Sequence, residues 1–257
     1  GWGYLWTGDP DMGFGAHQPG GFFYNLLPYI EQQAIHQLGA GLGDSEKRAA
    51  LGLQKSSVVS IFHCPSRRRA IGYPAKESSR NADQPGTLAK TDYAANGGTY
   101  QILGGGPGLE CLDDYPNCSW THNDTFMETN FNGISSERSE IQAAHIRDGT
   151  SNTYLAGEKY LSMDRYLTGD DGADNNSAYQ GNDWDTNRWA SSAWTPRQDR
   201  ESYDVTSSRF GSAHSGSLNM VFCDGSVHSI SYSIDPSVHG YLGSRHDGEA
   251  IPGDTFR

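Results

Sequence analysis

The hydrophobic positions in the second half of the chain predict three β-strands. Residues 153–160 and 218–223 are mainly apolar runs of strand length, and residues 226–231 follow the second run after the dipeptide Asp224-Gly225. An Asp-Gly pair between two such runs is a strong hairpin signal, because a type I′ turn requires positive φ at both central residues. We therefore expect a hairpin over 218–231 and a further strand at 153–160.

The first half of the chain shows helical periodicity instead. Apolar residues recur every four positions from Ile30 to Leu38 and a glycine follows, which predicts a helix over 28–38. A second, shorter helix is expected over 45–53, with an aspartate as its N-cap. Residues 58–62, which are rich in β-branched side chains, then predict a strand.

Turn residues dominate the segments between these elements. Glycine accounts for 32 of the 257 residues, well above the usual share of about 7%. Two long stretches, near 66–135 and 165–205, predict loop insertions, since loops of this length in a compact domain are either functional or surface additions. The pattern as a whole predicts an α+β chain with long loops.

The charge balance excludes some classes of function. Asp and Glu total 31 against 19 for Lys and Arg, a net charge of -12. A nucleic-acid partner is not expected, because neutralising phosphates requires a basic surface. The 6 Trp, 14 Tyr and 9 Phe also distinguish the chain from a disordered acidic tail.

The four cysteines contain no Cys-x-x-Cys pair, which argues against a zinc ribbon. Cys111 and Cys118 are close in sequence within a loop-like stretch and are candidates for a short disulfide. The alternative, four free or buried thiols, is equally open at this point.

Acidic residues suggest a calcium site. Asp170, Asp171 and Asp174 share one glycine-containing loop, and Asp183 and Asp185 follow shortly after it. Calcium prefers several oxygen ligands on a flexible backbone. The spacing around Asp183 matches the opening of an EF-hand loop, but an arginine then replaces the required glycine. The alternative is a solvated acidic loop.

Signals of catalysis are weak. The chain has no Gly-x-Ser-x-Gly elbow and no phosphate-binding loop. We therefore expect no enzyme, with a hydrolase as the less favoured alternative. The tryptophans and tyrosines have two interpretations: a platform on which sugars stack, or the filling of a core under long loops.

Several blocks resemble a large family found mainly in planctomycete bacteria, known as domain of unknown function 1559. The matching blocks, in chain order, are Gly8-Asp9-Pro10-Asp11, Gln18-Pro19-Gly20-Gly21, Leu26-Leu27-Pro28-Tyr29-Ile30-Glu31-Gln32, His63-Cys64-Pro65-Ser66, Asp148-Gly149-Thr150-Ser151-Asn152-Thr153, Gly157-Glu158-Lys159, and His214 with nine residues before Asp224-Gly225. They extend over nearly the whole chain, and their shared order makes the resemblance specific.

The resemblance implies a pilin-like protein. Family members usually begin with a prepilin-type leader and a long hydrophobic helix, like type IV pilins and the pseudopilins of type II secretion. This chain would start after that helix and would meet a membrane only through it. The expected fold is one extracytoplasmic domain, residues 1–257, with an antiparallel β-sheet that packs on the helix. Major pseudopilins bind calcium, so calcium is the only expected cofactor.

The signature blocks themselves favour structural roles. Asp148 and Asn152 in one turn, like Asp224 and Gly225 in the other, suit side-chain hydrogen bonds to nearby backbone. A buried polar network of Glu158, His214 and Asp224 would lock the hairpin to its neighbour. A catalytic use of those three residues is the alternative, but no nucleophile is evident in any block.

These observations favour a non-enzymatic structural subunit at the cell surface, in the periplasm or in a secreted filament. Its expected partners are copies of itself or other pilin-like subunits. The alternative function is a surface-anchored module that binds a polysaccharide or another solute.

Overall fold

The computed structural model describes residues 1–201, 208–253 and 255, and its fold is α+β with mainly antiparallel sheets, which confirms the predicted class. The α-helices are α1 (Phe22–Leu26), α2 (Gln33–His36), α3 (Asp44–Ser56), α4 (Cys111–Asp114), α5 (Asp124–Asn130) and α6 (Pro236–Gly243). The strands are β1 (Gly72–Pro74), β2 (Thr87–Ala89), β3 (Tyr93–Asn96), β4 (Tyr154–Glu158), β5 (Asn187–Arg188), β6 (Arg197–Gln198), β7 (Gly211–Ser212), β8 (Ser217–Phe222) and β9 (Val227–Ser231). The 3-10 helices are Pro10–Met12, Gly15–His17, Leu27–Ile30, Ser60–Phe62, Ala143–His145, Thr150–Asn152 and Met163–Arg165. None of the helices described here combines the length and apolarity that a membrane span requires.

A five-stranded sheet forms the centre of the fold. Its strand order is β5-β3-β4-β8-β9, and all neighbours are antiparallel except β3 and β5. Two small sheets, β1-β2 and β6-β7, lie outside it. Because β3 and β5 belong to the stretches predicted as insertions near 66–135 and 165–205, those stretches are not merely additions to the sheet.

The predicted hairpin is present as β8 and β9, with Val221 opposite Val227. The predicted type I′ turn is wrong, because Gly225 has φ of 86° whereas Asp224 is not among the residues with positive φ. The amide of Gly225 donates to the carbonyl of Phe222 (3.0 Å), and a left-handed glycine after such a turn is typical of a three-residue loop with a β-bulge. The Asp-Gly pair therefore indicated the hairpin but not the turn type.

The helical predictions had mixed outcomes. The helix expected over 45–53 is α3, which begins one residue earlier and ends three residues later. The predicted aspartate N-cap is wrong, because Asp44 is the first helical residue and Gly43 is the N-cap. The single helix expected over 28–38 is interrupted at Glu31, whose φ is 63°. That break folds α2 back onto α1, so that the ring of His36 stacks 4.4 Å from that of Tyr24.

The strand predicted at 58–62 is wrong. Val59 is extended, but Ser60–Phe62 form a 3-10 turn instead of joining the sheet. The carbonyl of Phe62 accepts a hydrogen bond from the amide of Asp92 (2.8 Å), so this segment docks beside the start of β3 without pairing along it. β-branched residues favour extended backbone, and tertiary contacts decided where that backbone ended.

The two faces of the sheet are covered unequally. One face packs Tyr154, Met220 and Phe222 against Phe210 and against Leu242 of α6. A register shift between Tyr154 and Ala156 interrupts the alternation of β4.

Residues directly opposite in antiparallel strands share a face. Ala156 lies opposite Val221, Val221 lies opposite Val227, and Glu158 lies opposite Tyr93. The second face therefore carries an apolar row that ends at an acidic side chain.

A disulfide joins Cys111 and Cys118, whose Cα atoms lie 5.4 Å apart, while Cys64 and Cys223 are free thiols. Cys111 packs into a cluster with Trp2 and Trp6. These two tryptophans are fully buried and Trp189 is 1% exposed, so they fill cores and do not form an exposed sugar platform.

Candidate functional site

Three side chains with metal-ligand atoms converge beside the second face of the sheet, and we call them the Cys–Glu–His site: Cys64, Glu158 and His214. Nε2 of His214 lies 3.7 Å from Sγ of Cys64 and 3.2 Å from Oε1 of Glu158. Among the residues that the structure describes, this is the group of Cys, His, Asp and Glu whose ligand atoms all lie within 4.8 Å of one another. Cys64 and Glu158 are buried, whereas the His214 side chain is 36% exposed, so the site opens to solvent past the imidazole.

Cys64 is held by its backbone. It follows the 3-10 turn Ser60–Phe62, and its amide donates a 2.8 Å hydrogen bond to the buried carboxylate of Asp92. Its carbonyl accepts a hydrogen bond from the amide of Arg67 (2.9 Å). Since Arg68 in turn donates to Asp92 (2.8 Å), buried charges hold the backbone of Cys64 in place.

Glu158 is the last residue of β4 and is oriented by the neighbouring strand. Its Oε2 accepts hydrogen bonds from the backbone amide (2.7 Å) and the side-chain amide (3.2 Å) of Asn219 in β8. These bonds leave Oε1 directed at His214. His214 is held by its own backbone, because its amide donates to Ser212 Oγ (3.1 Å) and its carbonyl accepts from the hydroxyl of Tyr232 (2.9 Å).

The geometry does not form a nucleophilic relay. In a triad the base meets the nucleophile with one ring nitrogen and the acid with the other. Here the thiol and the carboxylate both face Nε2 of His214. Burial also raises the pKa of the Cys64 thiol, which disfavours the thiolate that a nucleophile needs. Thiol, imidazole and carboxylate are, however, all ligand types found at zinc sites.

The predicted network of Glu158, His214 and Asp224 needs a correction. Glu158 and His214 pair, but Asp224 is exposed at the hairpin tip and accepts hydrogen bonds from the amide (2.9 Å) and hydroxyl (2.6 Å) of Ser226. The third member is Cys64, which the sequence places 150 residues before the histidine. Gly225 supplies the positive φ of the turn and no contact to the site.

The turn at Asp148 has a separate structural role. The two carboxylate oxygens of Asp148 accept hydrogen bonds from the amides of Asp247 (2.8 Å) and Gly248 (3.0 Å). The side chain of Asn152 donates to the carbonyl of Asp148 (3.0 Å). This turn therefore ties the C-terminal segment to the entry of β4.

The aspartates predicted to bind calcium are mostly buried. Asp170 is exposed and pairs with Lys76 (2.8 Å), whereas the other four are at most 4% exposed, so the solvated-loop interpretation fails for these four: Asp171, Asp174, Asp183 and Asp185. Their ligand atoms form no compact group of three.

Positively charged side chains of the protein contact Asp174 where a bound metal ion would have to lie. Its Oδ1 lies 3.0 Å from Nη2 of Arg68 and 3.0 Å from Nζ of Lys159. Although burial opposes ionisation, these two charges hold the pKa of Asp174 well below its usual range.

The remaining aspartates bond to amides. Asp171 accepts from the amides of Ser162 (2.9 Å) and Ala173 (3.0 Å), and burial raises its pKa to about 6. Asp183 and Asp185 both accept from Asn176, and burial raises the pKa of each. Calcium binding by this loop stays a prediction.

A groove, which we call the sheet groove, lies over the second face of the sheet and encloses about 510 Å³. Its wall is mainly apolar and includes Phe22, Leu26, Ile61, Leu155, Val221 and Val227. Asn219, which orients Glu158, also lines it, so the groove runs toward the Cys–Glu–His site.

Sequence reasoning missed the buried charge network that supports the site, which consists of Arg67, Arg68, Lys159, Asp92, Asp174 and Asp199. Arg67 Nε lies 2.9 Å from Asp199, and Arg68 joins Asp92 to Asp174. One signal was available: three consecutive arginines directly follow the His-Cys-Pro-Ser block. Three adjacent arginines could have been interpreted as internal counter-charges for the aspartate-rich loop.

Comparison with known proteins places the chain in a family. The sequence profile of the family described as a protein of unknown function (DUF1559) matches residues 4–237. The chain therefore belongs to this family. No curated protein and no solved structure gives a significant match.

Proposed function

We propose that this protein is a non-enzymatic, extracytoplasmic structural subunit of pilin-like type, whose sheet receives an apolar helix. The observation that carries the proposal is the sheet groove. It lies on the sheet face opposite the cluster of Tyr154, Met220 and Phe222, and its exposed apolar residues include Ile61 (60%) and Val227 (65%). Exposed apolar surface of this kind is typical of interaction sites.

The occupant that we propose is a hydrophobic helix joined ahead of Gly1 in the same polypeptide. Gly1 lies in the wall of an adjoining cavity that shares Phe22, Leu26 and Leu155 with the sheet groove. Because the two cavities share these residues, a helix joined at Gly1 would begin next to the sheet groove. An amphipathic or apolar helix in a hydrophobic groove is a common recognition mode.

Two further features support a structural role outside the cytoplasm. The Cys111–Cys118 disulfide suits an oxidising compartment. The shared ring nitrogen at the Cys–Glu–His site and the raised pKa of its thiol argue against a cysteine nucleophile. Self-association, or association with similar subunits, would follow from the helix, as in other assemblies built on helical cores.

Assembly in cells tests this proposal. Val227→Asp places a charge in the sheet groove at a position that is already 65% exposed, so the fold should tolerate it. We expect the full gene product carrying this change to disappear from the fraction sheared off the cell surface while its total amount stays unchanged. The matched control is Leu53→Asp on α3, where the leucine is 61% exposed and lies outside the groove. If Val227→Asp assembles as well as the control, the proposal is wrong.

A further inference from the structure

We propose that Cys64, Glu158 and His214 bind a divalent transition-metal cation of the zinc type. This site lies beside the sheet groove, and the proposal goes beyond the proposed structural function. Three chain segments far apart in sequence supply one ligand atom each, and no pair of the three comes from a shared helix or turn.

The distances of the sulfur and the carboxylate oxygen from the imidazole nitrogen fit a tetrahedral zinc ion. With Zn–S near 2.3 Å and Zn–N or Zn–O near 2.0–2.2 Å, tetrahedral angles put S and N about 3.6 Å apart and N and O about 3.3 Å apart. The observed separations are 3.7 Å for Cys64 Sγ to His214 Nε2 and 3.2 Å for Glu158 Oε1 to the same nitrogen. Both values lie close to the edges of such a tetrahedron.

Hydrogen bonds can join these three side chains only in pairs, and the Cys64 thiol also reaches Glu158. Nε2 of His214 carries at most one hydrogen, so it can direct a bond at the thiol or at the carboxylate, but not well at both. A cation at the centre would be ligated by all three atoms at once. A thiolate and a carboxylate together also match the charge of a divalent ion.

The residues around the three candidate ligands hold them in place, as the outer partners of metal ligands do. Asn219 occupies Oε2 of Glu158 and leaves Oε1 free to ligate, while Asp92 anchors the backbone of Cys64. Such outer partners fix ligand orientation at metal sites. The partly exposed His214 side chain gives an entry path and room for water as a fourth ligand.

The ligand types select the metal. A thiolate and an imidazole favour zinc and similar ions, whereas calcium prefers oxygen ligands alone. The site therefore differs in chemistry from the aspartate-rich loop at 169–187, whose carboxylates bind the chain's own cations and amides.

The test is zinc content of the purified, folded chain. After treatment with chelator, incubation with zinc chloride and gel filtration, we expect one zinc ion per chain by mass spectrometry of the metal. Cobalt in place of zinc should give a thiolate-to-metal charge-transfer band. Both signals should disappear in His214→Ala, a change at a partly exposed position that the fold should tolerate, and in Cys64→Ser.

Matched controls identify the site. Cys223→Ser removes the other free thiol and His145→Ala removes an exposed histidine outside the site, and both should keep the zinc and the cobalt band. Glu158→Gln should weaken zinc binding at least about tenfold, because even partners of ligands contribute about 10–100-fold. Absence of stoichiometric zinc, or zinc that persists in both His214→Ala and Cys64→Ser, would overturn the proposal. Neither result would affect the surface-assembly test, which does not depend on metal.

Discussion

The buried charge network and the Cys–Glu–His site lie next to each other, and their buried carboxylates have different kinds of partners. In the network, Asp174 faces Arg68 and Lys159, and Asp199 faces Arg67, so the chain supplies its own cations. In the site, a thiol and a carboxylate share one imidazole nitrogen. The difference shows that a cluster of acidic residues is poor evidence for a metal when arginine and lysine reach it.

The largest loss of stability is expected when Asp174, a member of the buried charge network, is replaced. Asp174→Ala leaves the buried charges of Arg68 and Lys159 without their main partner, which should lower the free energy of unfolding by about 3–5 kcal/mol. Urea denaturation monitored by tryptophan fluorescence measures this loss. The control is Asp170→Ala, which removes only an exposed ion pair with Lys76 and should change stability little. Equal losses in the two variants would contradict a network stabilised by internal counter-ions.

Asp171 should make a pH-dependent contribution to stability that is slightly smaller than the effect of Asp174→Ala. Burial raises its pKa in the folded state to about 6, so the folded state binds more protons than the unfolded state between about pH 4 and 6. Its contribution to stability is therefore present below pH 4 and is lost as the pH rises through 6. Asp171→Asn does not titrate and lacks this loss. The difference in the free energy of unfolding between the variant and the wild type should therefore shrink by up to about 3 kcal/mol between pH 4 and 7.

Chemical denaturation of both proteins at several pH values tests the Asp171 prediction. Asp174 works in the opposite direction, because its lowered pKa costs stability only as the pH falls below about 4. A stability difference between Asp171→Asn and the wild type that stays constant from pH 4 to 7 would contradict the assignment.

Metal-dependent stability distinguishes the two regions directly. Zinc at a hundredfold excess over Kd should raise the free energy of unfolding by about 2.7 kcal/mol if it binds only the folded chain. We expect no such rise with calcium, because Asp174 is paired with Arg68 and Lys159. Thermal unfolding with zinc, with calcium and with chelator measures both. A calcium-specific rise that Asp183→Asn abolishes would contradict this expectation and support the calcium prediction for the loop.

The smallest effect is expected at Asp224. Asp224→Ala removes hydrogen bonds to Ser226 at an exposed hairpin tip, so the melting temperature should fall only slightly. Zinc content should be unchanged, because Asp224 lies outside the Cys–Glu–His site. Loss of zinc in this variant would show that the hairpin tip takes part in the site after all.

Local patterns predicted the elements whose signals are local. The strand at β4 and the hairpin of β8 and β9 follow from apolar runs and a turn dipeptide, which act over a few residues. The helix α3 was also predicted, although its N-cap is Gly43 and not the expected aspartate. The same local rules were wrong at 58–62, because packing beside β3 outweighed the preference of β-branched residues. They also missed the break at Glu31, which a tertiary contact between α1 and α2 requires.

The candidate site was predictable only in part. The family blocks contained Cys64, Glu158 and His214, and Glu158 with His214 was expected to pair. Asp224 was the wrong third member, because the hairpin carries its tip away from the end of β4 that bears Glu158. Cys64 was the missing one, since a contact over 150 residues leaves no trace in spacing.

The amino-acid sequence by itself determined the α+β class, the acidic character, the hairpin and the family. It also carried the cysteine pair that forms the disulfide. Only the tertiary structure decided that the aspartates pair with Arg68 and Lys159 and that Cys64 meets His214. The physical reason is range: turn and strand preferences act between neighbours in the chain, whereas ion pairs and ligand sets depend on which distant segments the sheet brings together.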